Sequence, residues 1–143
     1  MRDATFLTQS GPDLARALLT ALRADADVQA VLGRPARIFD AETPAPAFPY
    51  VRLHQHDSQT ADRVARRRLE HTSQLAVFSR QSRLESTKTL LGVLRAAVER
   101  LSLTLTTQNI VQLAVRVDEA RRPGNGKSQR GLLHLRILTE AKA

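Results

Sequence analysis

Three histidines are the residues of this chain that could most readily bind a metal ion. His54 and His56 are two positions apart in a run that alternates like a β-strand, so we expect both imidazoles on one side of it. If that run pairs with the next strand as a hairpin, His71 comes near them. With a carboxylate from Asp57 or Glu70, the imidazoles could hold zinc or iron. The spacing fixes no fourth ligand, so we predict polar residues on a solvated face or a subunit interface, with no metal and no cofactor.

The sequence contains no pattern for nucleophilic catalysis or for nucleotide binding. It has no cysteine, no Gly-x-Ser-x-Gly turn and no glycine-rich phosphate loop. The segment 124–127, Gly-Asn-Gly-Lys, has two glycines and a lysine but lacks the spacing of a phosphate loop, so it predicts a hairpin turn. We therefore predict no catalytic residues, and an enzyme built on the three histidines is the last of our hypotheses.

The positive charge of the chain is concentrated in two segments. The net charge is +8 and the isoelectric point is about 11.3. One cluster lies between residues 60 and 69, and the other lies between residues 116 and 130. We expect both at loops or strand ends, where they could be solvated, contact an acidic protein surface or contact DNA phosphates. No aromatic residue alternates with the arginines, so any DNA contact is expected to ignore base sequence. The candidate contact residues are Arg63, Arg66, Arg67, Arg68, Arg121, Arg122 and Lys127.

Two amphipathic helices are predicted to position these segments. Ser10 followed by Pro12 and Asp13 predicts the start of the first helix, which residues 25–27 interrupt. Ser82 and Glu85 have the spacing of a capping box, and they predict the start of the second helix. From Leu84 to Leu101 the apolar residues follow helical steps of three and four, and the apolar stripe is broad enough to lie against a sheet.

The remaining apolar segments predict an antiparallel sheet. Strands are predicted at 50–56, 70–80, 110–117 and 131–139, and residues 57–70 are predicted to form a long basic loop. The expected fold class is α+β, with an antiparallel sheet of about four to five strands and two main helices packed on one face. A length of 143 residues predicts a single domain over residues 1–143. The absence of a signal-like apolar segment or membrane-length apolar run predicts a soluble protein made in the cytoplasm.

The order of the segments resembles one protein family. The segments that carry the resemblance are 22–33, the Arg-Ile-Phe-Asp to Phe-Pro-Tyr-Val block of 37–53, the strand of 71–80, the helix of 84–101 and the strand of 130–139. Together they resemble the tail-completion proteins, also called tail-to-head joining or tail-terminator proteins, of long-tailed phages and phage-derived particles. The resemblance implies a structural role, in which subunits form a ring that caps the tail tube and joins it to the head.

The resemblance also implies partners. The expected ones are further copies of the chain in a ring of six, tail-tube proteins, and neck or head-completion proteins, with non-specific contact to DNA that passes through the lumen and no membrane contact. The expected location is the bacterial cytoplasm during assembly and then the tail or neck of the particle, which could be a virus, a prophage product or a gene transfer agent. The alternative hypothesis is a nucleic-acid-binding module that uses the basic loops without regard to sequence.

Overall fold

The computed structural model describes residues 2–40, 47–61, 67–80, 84–117 and 129–142. Three helices and five strands occur in these ranges. Two helices precede the first strand and one helix lies between the third and fourth strands, as the amphipathic patterns predict. In chain order, the elements are α1 (Arg2–Ala24), α2 (Ala26–Leu32), β1 (Ile38–Phe39), β2 (Tyr50–Thr60), β3 (Arg68–Ser79), α3 (Leu84–Glu99), β4 (Gln108–Val117) and β5 (Gln129–Ala141).

The five strands form one sheet in the order β1-β2-β3-β5-β4. β1 is parallel to β2, and the other neighbours are antiparallel. Alternate residues of the central strands are buried, and they pack in one cluster with α1, α2 and α3. We call this side the covered face and the other side the open face. The α+β class and the helices on one side of the sheet are confirmed.

α1 is longer than its sequence signals predict. Ser10 was expected to cap its start, but the helix begins at Arg2 and contains Pro12 in its interior. Phe6 is only 2% exposed. Burial of that ring offsets part of the cost of the backbone hydrogen bond that Pro12 cannot donate. The helix also passes close to the sheet, because a Cβ at Gly11 would lie 2.8 Å from Ser58 Oγ.

α3 packs on the centre of the sheet through the stripe that the sequence predicts. Leu91 is 1% exposed and Leu94 is fully buried. A Cβ at Gly131 of β5 would lie 2.5 Å from Leu91 Cδ1, so glycine is what allows helix and strand to approach. Residues 101–107, between α3 and β4, form neither helix nor strand.

The break between α1 and α2 falls where the sequence predicts it. Asp25 caps α2, because its carboxylate accepts the amide N–H groups of Asp27 and Val28. Burial raises the pKa of Asp25, but the Val28 amide and the Arg100 guanidinium outweigh this effect and leave the pKa below its usual value. Gly33 ends α2 with a φ of 89°, which favours glycine.

β1 is short, and arginine side chains anchor the chain on both sides of it. Its two residues pair with Val51 and Arg52 of β2. Arg23 of α1 donates twice to the Ile38 carbonyl, at 3.0 and 2.8 Å. Arg37 donates to the Pro49 carbonyl at 2.8 Å. The bonds of Arg23 attach the sheet edge to the end of α1. Because β1 has only two residues, most of β2 extends past the end of β1.

The predicted loop of residues 57–70 is shorter in the structure. β2 continues to Thr60, β3 begins at Arg68, and the two strands stay paired down to Thr60 opposite Leu69. The long-loop prediction is therefore wrong at both ends. In the described part of the chain, no helix has the length and apolar character that crossing a membrane requires.

Candidate functional site

The covered face holds a pair of stacked histidines beneath α1. The rings of His56 on β2 and His71 on β3 have centroids 5.8 Å apart and an interplanar angle of 20°. His71 Nδ1 lies 2.7 Å from Ser58 Oγ, and its Nε2 lies 2.8 Å from Thr139 Oγ1. His56 Nδ1 is hydrogen-bonded to the Ser73 hydroxyl. The strand pairing thus brings His71 next to His56, as a hairpin predicts.

This environment favours the neutral form of both rings. His71 is fully buried. Burial and the neighbouring His56 lower the pKa of His71 to about 4. Burial also lowers the pKa of His56, against the opposing effects of the Gly11 backbone and the Asp57 carboxylate. A neutral imidazole donates from one nitrogen and accepts at the other, and hydroxyl partners can take either role. The expectation of a solvated or interfacial position is therefore wrong for His71.

More polar groups surround the histidines where β4 begins. The Gln108 side chain is almost fully buried and donates from Nε2 to the Ser10 carbonyl at 2.8 Å. Four buried side-chain atoms find no partner among the described residues: Ser10 Oγ, His56 Nε2, Thr107 Oγ1 and Gln108 Oε1. Sequence reasoning missed Ser58, Gln108 and Thr139. Thr139 has a signal in the sequence, because it follows the buried Leu133, Leu135 and Ile137 of β5 at a spacing of two.

The three histidines do not form one cluster. The pairing of β2 with β3 shifts by one residue between Leu53 and Gln55, which marks a bulge at His54. His56 therefore faces the covered side, whereas His54 is exposed and lies 3.5 Å from an Arg52 nitrogen. The expectation that His54 and His56 share a side is wrong for this reason. Among the described residues, no three metal-ligating side chains come together.

Only two of the predicted contact residues lie in the described ranges. Arg68 is the first residue of β3, and its side chain lies 3.7 Å from Glu140 of β5. Arg67 is hydrogen-bonded through its carbonyl to the Ala141 amide at 2.8 Å. These two arginines are therefore attached to the end of the sheet. The other candidates, which lie outside the described residues, are Arg63, Arg66, Arg121, Arg122 and Lys127.

The open face of the sheet has a depression whose lining includes two arginines. The depression has a volume of about 460 Å³ and lies across β2, β3, β5 and β4. Arg136 of β5 is exposed and pairs with Glu70 at 2.9 Å. The polar side chains that line the depression are Gln55, Thr72, Gln74, Arg116, His134 and Arg136. Its size and polar lining allow a shallow contact with a protein or with phosphates, and they offer no enclosed pocket for chemistry.

A cluster of aromatic rings lies at one end of the sheet. Tyr50 stacks on Phe78 with centroids 4.8 Å apart, and Phe39 and Phe48 contact Tyr50 from the side. All four rings are partly exposed. The Arg52 guanidinium lies 5.4 Å from the Phe78 centroid, and that of Arg80 lies 4.7 Å from the Phe48 centroid. Partly exposed aromatic rings with arginines are typical of protein contact surfaces.

β4 is an edge strand with an exposed apolar segment. Ile110 and Val111 are 36% and 47% exposed, and they are the large hydrophobic side chains most exposed among the residues whose burial is described. The pairing of β4 with β5 shifts between Ile110 and Gln112, so Val111 lies in a second bulge. A groove of about 550 Å³ runs beside this segment, and its apolar lining comes from Leu101, Leu103, Ile110, Leu113 and Ile137.

Comparison with known proteins finds one matching family and one similar solved structure. The family described as "Tail completion protein gp17" matches residues 16–140. Among solved structures, the chain is similar to one from the "Virion of native gene transfer agent (GTA) particle". The sequence identity is 26% and the TM-score is 0.77, with 90% of this chain and 96% of that chain covered. Among curated proteins, none matches the chain.

Proposed function

We propose that this chain, which belongs to the tail completion protein family, forms a ring that caps the tail tube of a phage or phage-like particle and joins it to the head. Family membership makes the protein a structural component of the tail rather than an enzyme. The observation that carries the proposal is the family match over residues 16–140, together with the similarity to a chain of a gene transfer agent virion.

A ring of six copies is the form we propose. A head-to-tail contact that repeats around an axis uses two different surfaces of each subunit and closes when the rotation fits. The sheet offers such surfaces, because its two ends differ in length and chemistry: β1 has two residues and β4 has ten. The proposed partners are the tail-tube proteins on one side and the neck or head-completion proteins on the other. Assembly takes place in the bacterial cytoplasm, and the protein then stays in the particle.

The experiment that tests this role removes the gene from the strain that encodes it. We expect heads and tails that are not joined, or tails of irregular length, in electron micrographs of the lysate. A plasmid copy should restore complete particles. Images of purified tails should show six copies of the subunit at the end that faces the head. Complete particles from the deletion strain would refute the role, and a different copy number would refute the ring of six.

The second candidate function is sequence-independent binding of nucleic acid. The observations that favour it are the net charge of +8 and the arginines of the open face. A free binding module that contacts several phosphates loses affinity by orders of magnitude between about 50 and 200 mM salt. Fluorescence anisotropy of the isolated chain with random duplex DNA measures this directly. Tight, salt-sensitive binding by the monomer would favour this candidate over the ring.

A further inference from the structure

The sheet has two free strand edges. The outer side of β4 pairs with no other strand among the described residues. β1 covers β2 only at Val51 and Arg52, so no described strand pairs with the outer side of residues 53–60. Free edges present unpaired N–H and C=O groups that favour the addition of another strand. Both ends of the sheet are therefore available to a neighbouring chain.

The two free edges lie at the same height of the sheet. The strand registers place Thr60 opposite Leu69, Leu69 opposite Thr139, and Thr139 opposite Ile110. By the same registers, His56 is opposite Ser73, Ser73 is opposite Leu135, and Leu135 is opposite Val115. Residues 110–117 of β4 are thus level with residues 53–60 of β2. A second copy placed beside the first, without a shift along the strands, brings these edges together.

The directions of the strands also fit. β2 is antiparallel to β3, β3 to β5, and β5 to β4, so β4 runs opposite to β2. A rotation about an axis along the strands keeps these directions in every copy. The edges that meet are then antiparallel, which allows regular ladder hydrogen bonds. A ring built in this way has a sheet that continues from subunit to subunit, and its closure removes the free edges.

The two edges carry opposite charges that are offset by two residues, since Asp57 is level with Ala114 and Arg116 is level with Gln55. Arg116 is the charged residue of β4, and Asp57 is the formally charged residue of β2 between 53 and 60. By the register, both lie on the open face, and neither forms an ion pair within the described residues. The exposed Ile110 and Val111 and the adjoining groove supply apolar surface that a neighbour would bury.

We infer that the outer side of β4 in one subunit pairs, antiparallel, with the outer side of β2 residues 53–60 in a second copy of this chain. The inference rests on the proposed ring and specifies its subunit contact. It excludes a two-fold contact of β4 with β4, which closes after two copies and cannot give a ring of six.

The absence of cysteine makes thiol cross-linking a direct test. Val111→Cys and Gln59→Cys place thiols on β4 and β2 at nearly the same height. Particles assembled in the deletion strain with the double variant are treated with a short bis-maleimide. We expect a ladder of covalent multimers up to the closed ring and no dimers from either single variant. Combining Val111→Cys with Thr20→Cys, an exposed position on α1, serves as the control and should give no ladder.

Two outcomes of the cross-linking would overturn the contact. Dimers from Val111→Cys alone would show that β4 meets β4. Particles that contain the doubly substituted protein but give no multimers would show that the edges do not meet. If the cysteines prevent particle formation, Val111→Lys gives an independent measurement against Thr20→Lys, since both positions are exposed.

We expect Val111→Lys to fold with an unchanged melting temperature and to lower the yield of joined particles at least tenfold. Thr20→Lys should leave the yield unchanged. A normal yield from Val111→Lys would refute the edge contact while leaving the tail role intact, provided that deletion of the gene still abolishes joining. Normal particles from the deletion strain would instead refute the tail role itself.

Discussion

At the scale of single residues, His71 has the most unusual environment. It is buried among Ser58, Thr139 and His56, and no carboxylate forms an ion pair with it in the described part of the chain. The native state therefore holds the neutral ring, whereas the unfolded chain takes up a proton near pH 6.5. A lowered native pKa means that the stability is complete above the unfolded pKa and is lost as the pH falls toward the native pKa. The affected window is pH 6.5 to about 4.

We predict that His71 gives the protein a pH-dependent stability in this window. Each pH unit below 6.5 should lower the unfolding free energy by about 1.4 kcal/mol, for a total of roughly 3 kcal/mol by pH 4. His71→Gln keeps a donor and an acceptor for the two hydroxyls but cannot be protonated, so it should flatten the slope. Urea unfolding at half-unit pH steps measures the effect.

The matched control is His54→Gln, because His54 is exposed on the same pair of strands. Its pH slope should equal that of the parent chain. Part of the slope that His71→Gln leaves behind is expected from His56 and Asp25, because the fold also lowers the pKa of these two groups. An unchanged slope in His71→Gln would contradict the assignment to His71.

The sequence located these residues but not their environment. The hairpin of β2 and β3 follows from strand patterns, and it places His71 near His56. Whether an inward polar position is solvated depends on what packs above it. Here α1 passes over the pair, because a Cβ at Gly11 would lie 2.8 Å from Ser58 Oγ and 3.7 Å from His56 Nε2. The spacing of residues along one sequence does not predict this contact between α1 and the sheet.

At the scale of elements, glycine decides how closely helices and strands approach. Gly131 on β5 lies under Leu91 of α3, and an added Cβ would be 2.5 Å from its Cδ1. Gly92, the next residue of the same helix, has nothing within 4 Å of the corresponding position. The periodicity of α3 predicts its covered face from the sequence. It cannot predict that one strand needs a residue without a side chain, because that requirement arises from the packing distance.

We predict opposite effects of alanine at these two glycines. Gly92→Ala should raise the unfolding free energy by up to about 1 kcal/mol, because alanine favours the helix and meets no neighbour. Gly131→Ala should lower it by about 1–3 kcal/mol, because Leu91 must leave its position. Thermal or urea unfolding of the two variants beside the parent chain gives both values. Equal changes of the same sign would refute the packing of α3 on β5.

At the scale of the whole molecule, the residues that stabilise the fold are different from the surfaces that are accessible for assembly. The apolar residues of α1, α2 and α3 are buried against one face of the sheet. The open face, the aromatic cluster and the edge of β4 remain accessible. Composition and segment order predicted this class of fold and the family. The position of the free edges could not be predicted, because it depends on β5 lying between β3 and β4.

The basic segment near the start of β3 is predicted to act in assembly rather than in folding. We expect the triple change Arg66→Ser, Arg67→Ser and Arg68→Ser to leave the fold intact, because the described members, Arg67 and Arg68, are exposed and an exposed ion pair contributes little. The yield of complete particles should fall, and electron microscopy of lysates measures it. Normal yield would exclude these arginines from the mechanism. Complete particles that deliver DNA poorly would indicate a contact with DNA in the lumen.

The two bulges have a consequence for how the length of this chain can vary. At His54 and at Val111, one strand holds a residue that its partner does not match, and both side chains are exposed. Removing either residue would leave two regular strands whose other residues keep their sides of the sheet. A deletion elsewhere in β2 or β4 would reverse the sides of all the residues that follow it within the strand. Relatives one residue shorter in these strands should therefore align with their gap at one of these two positions.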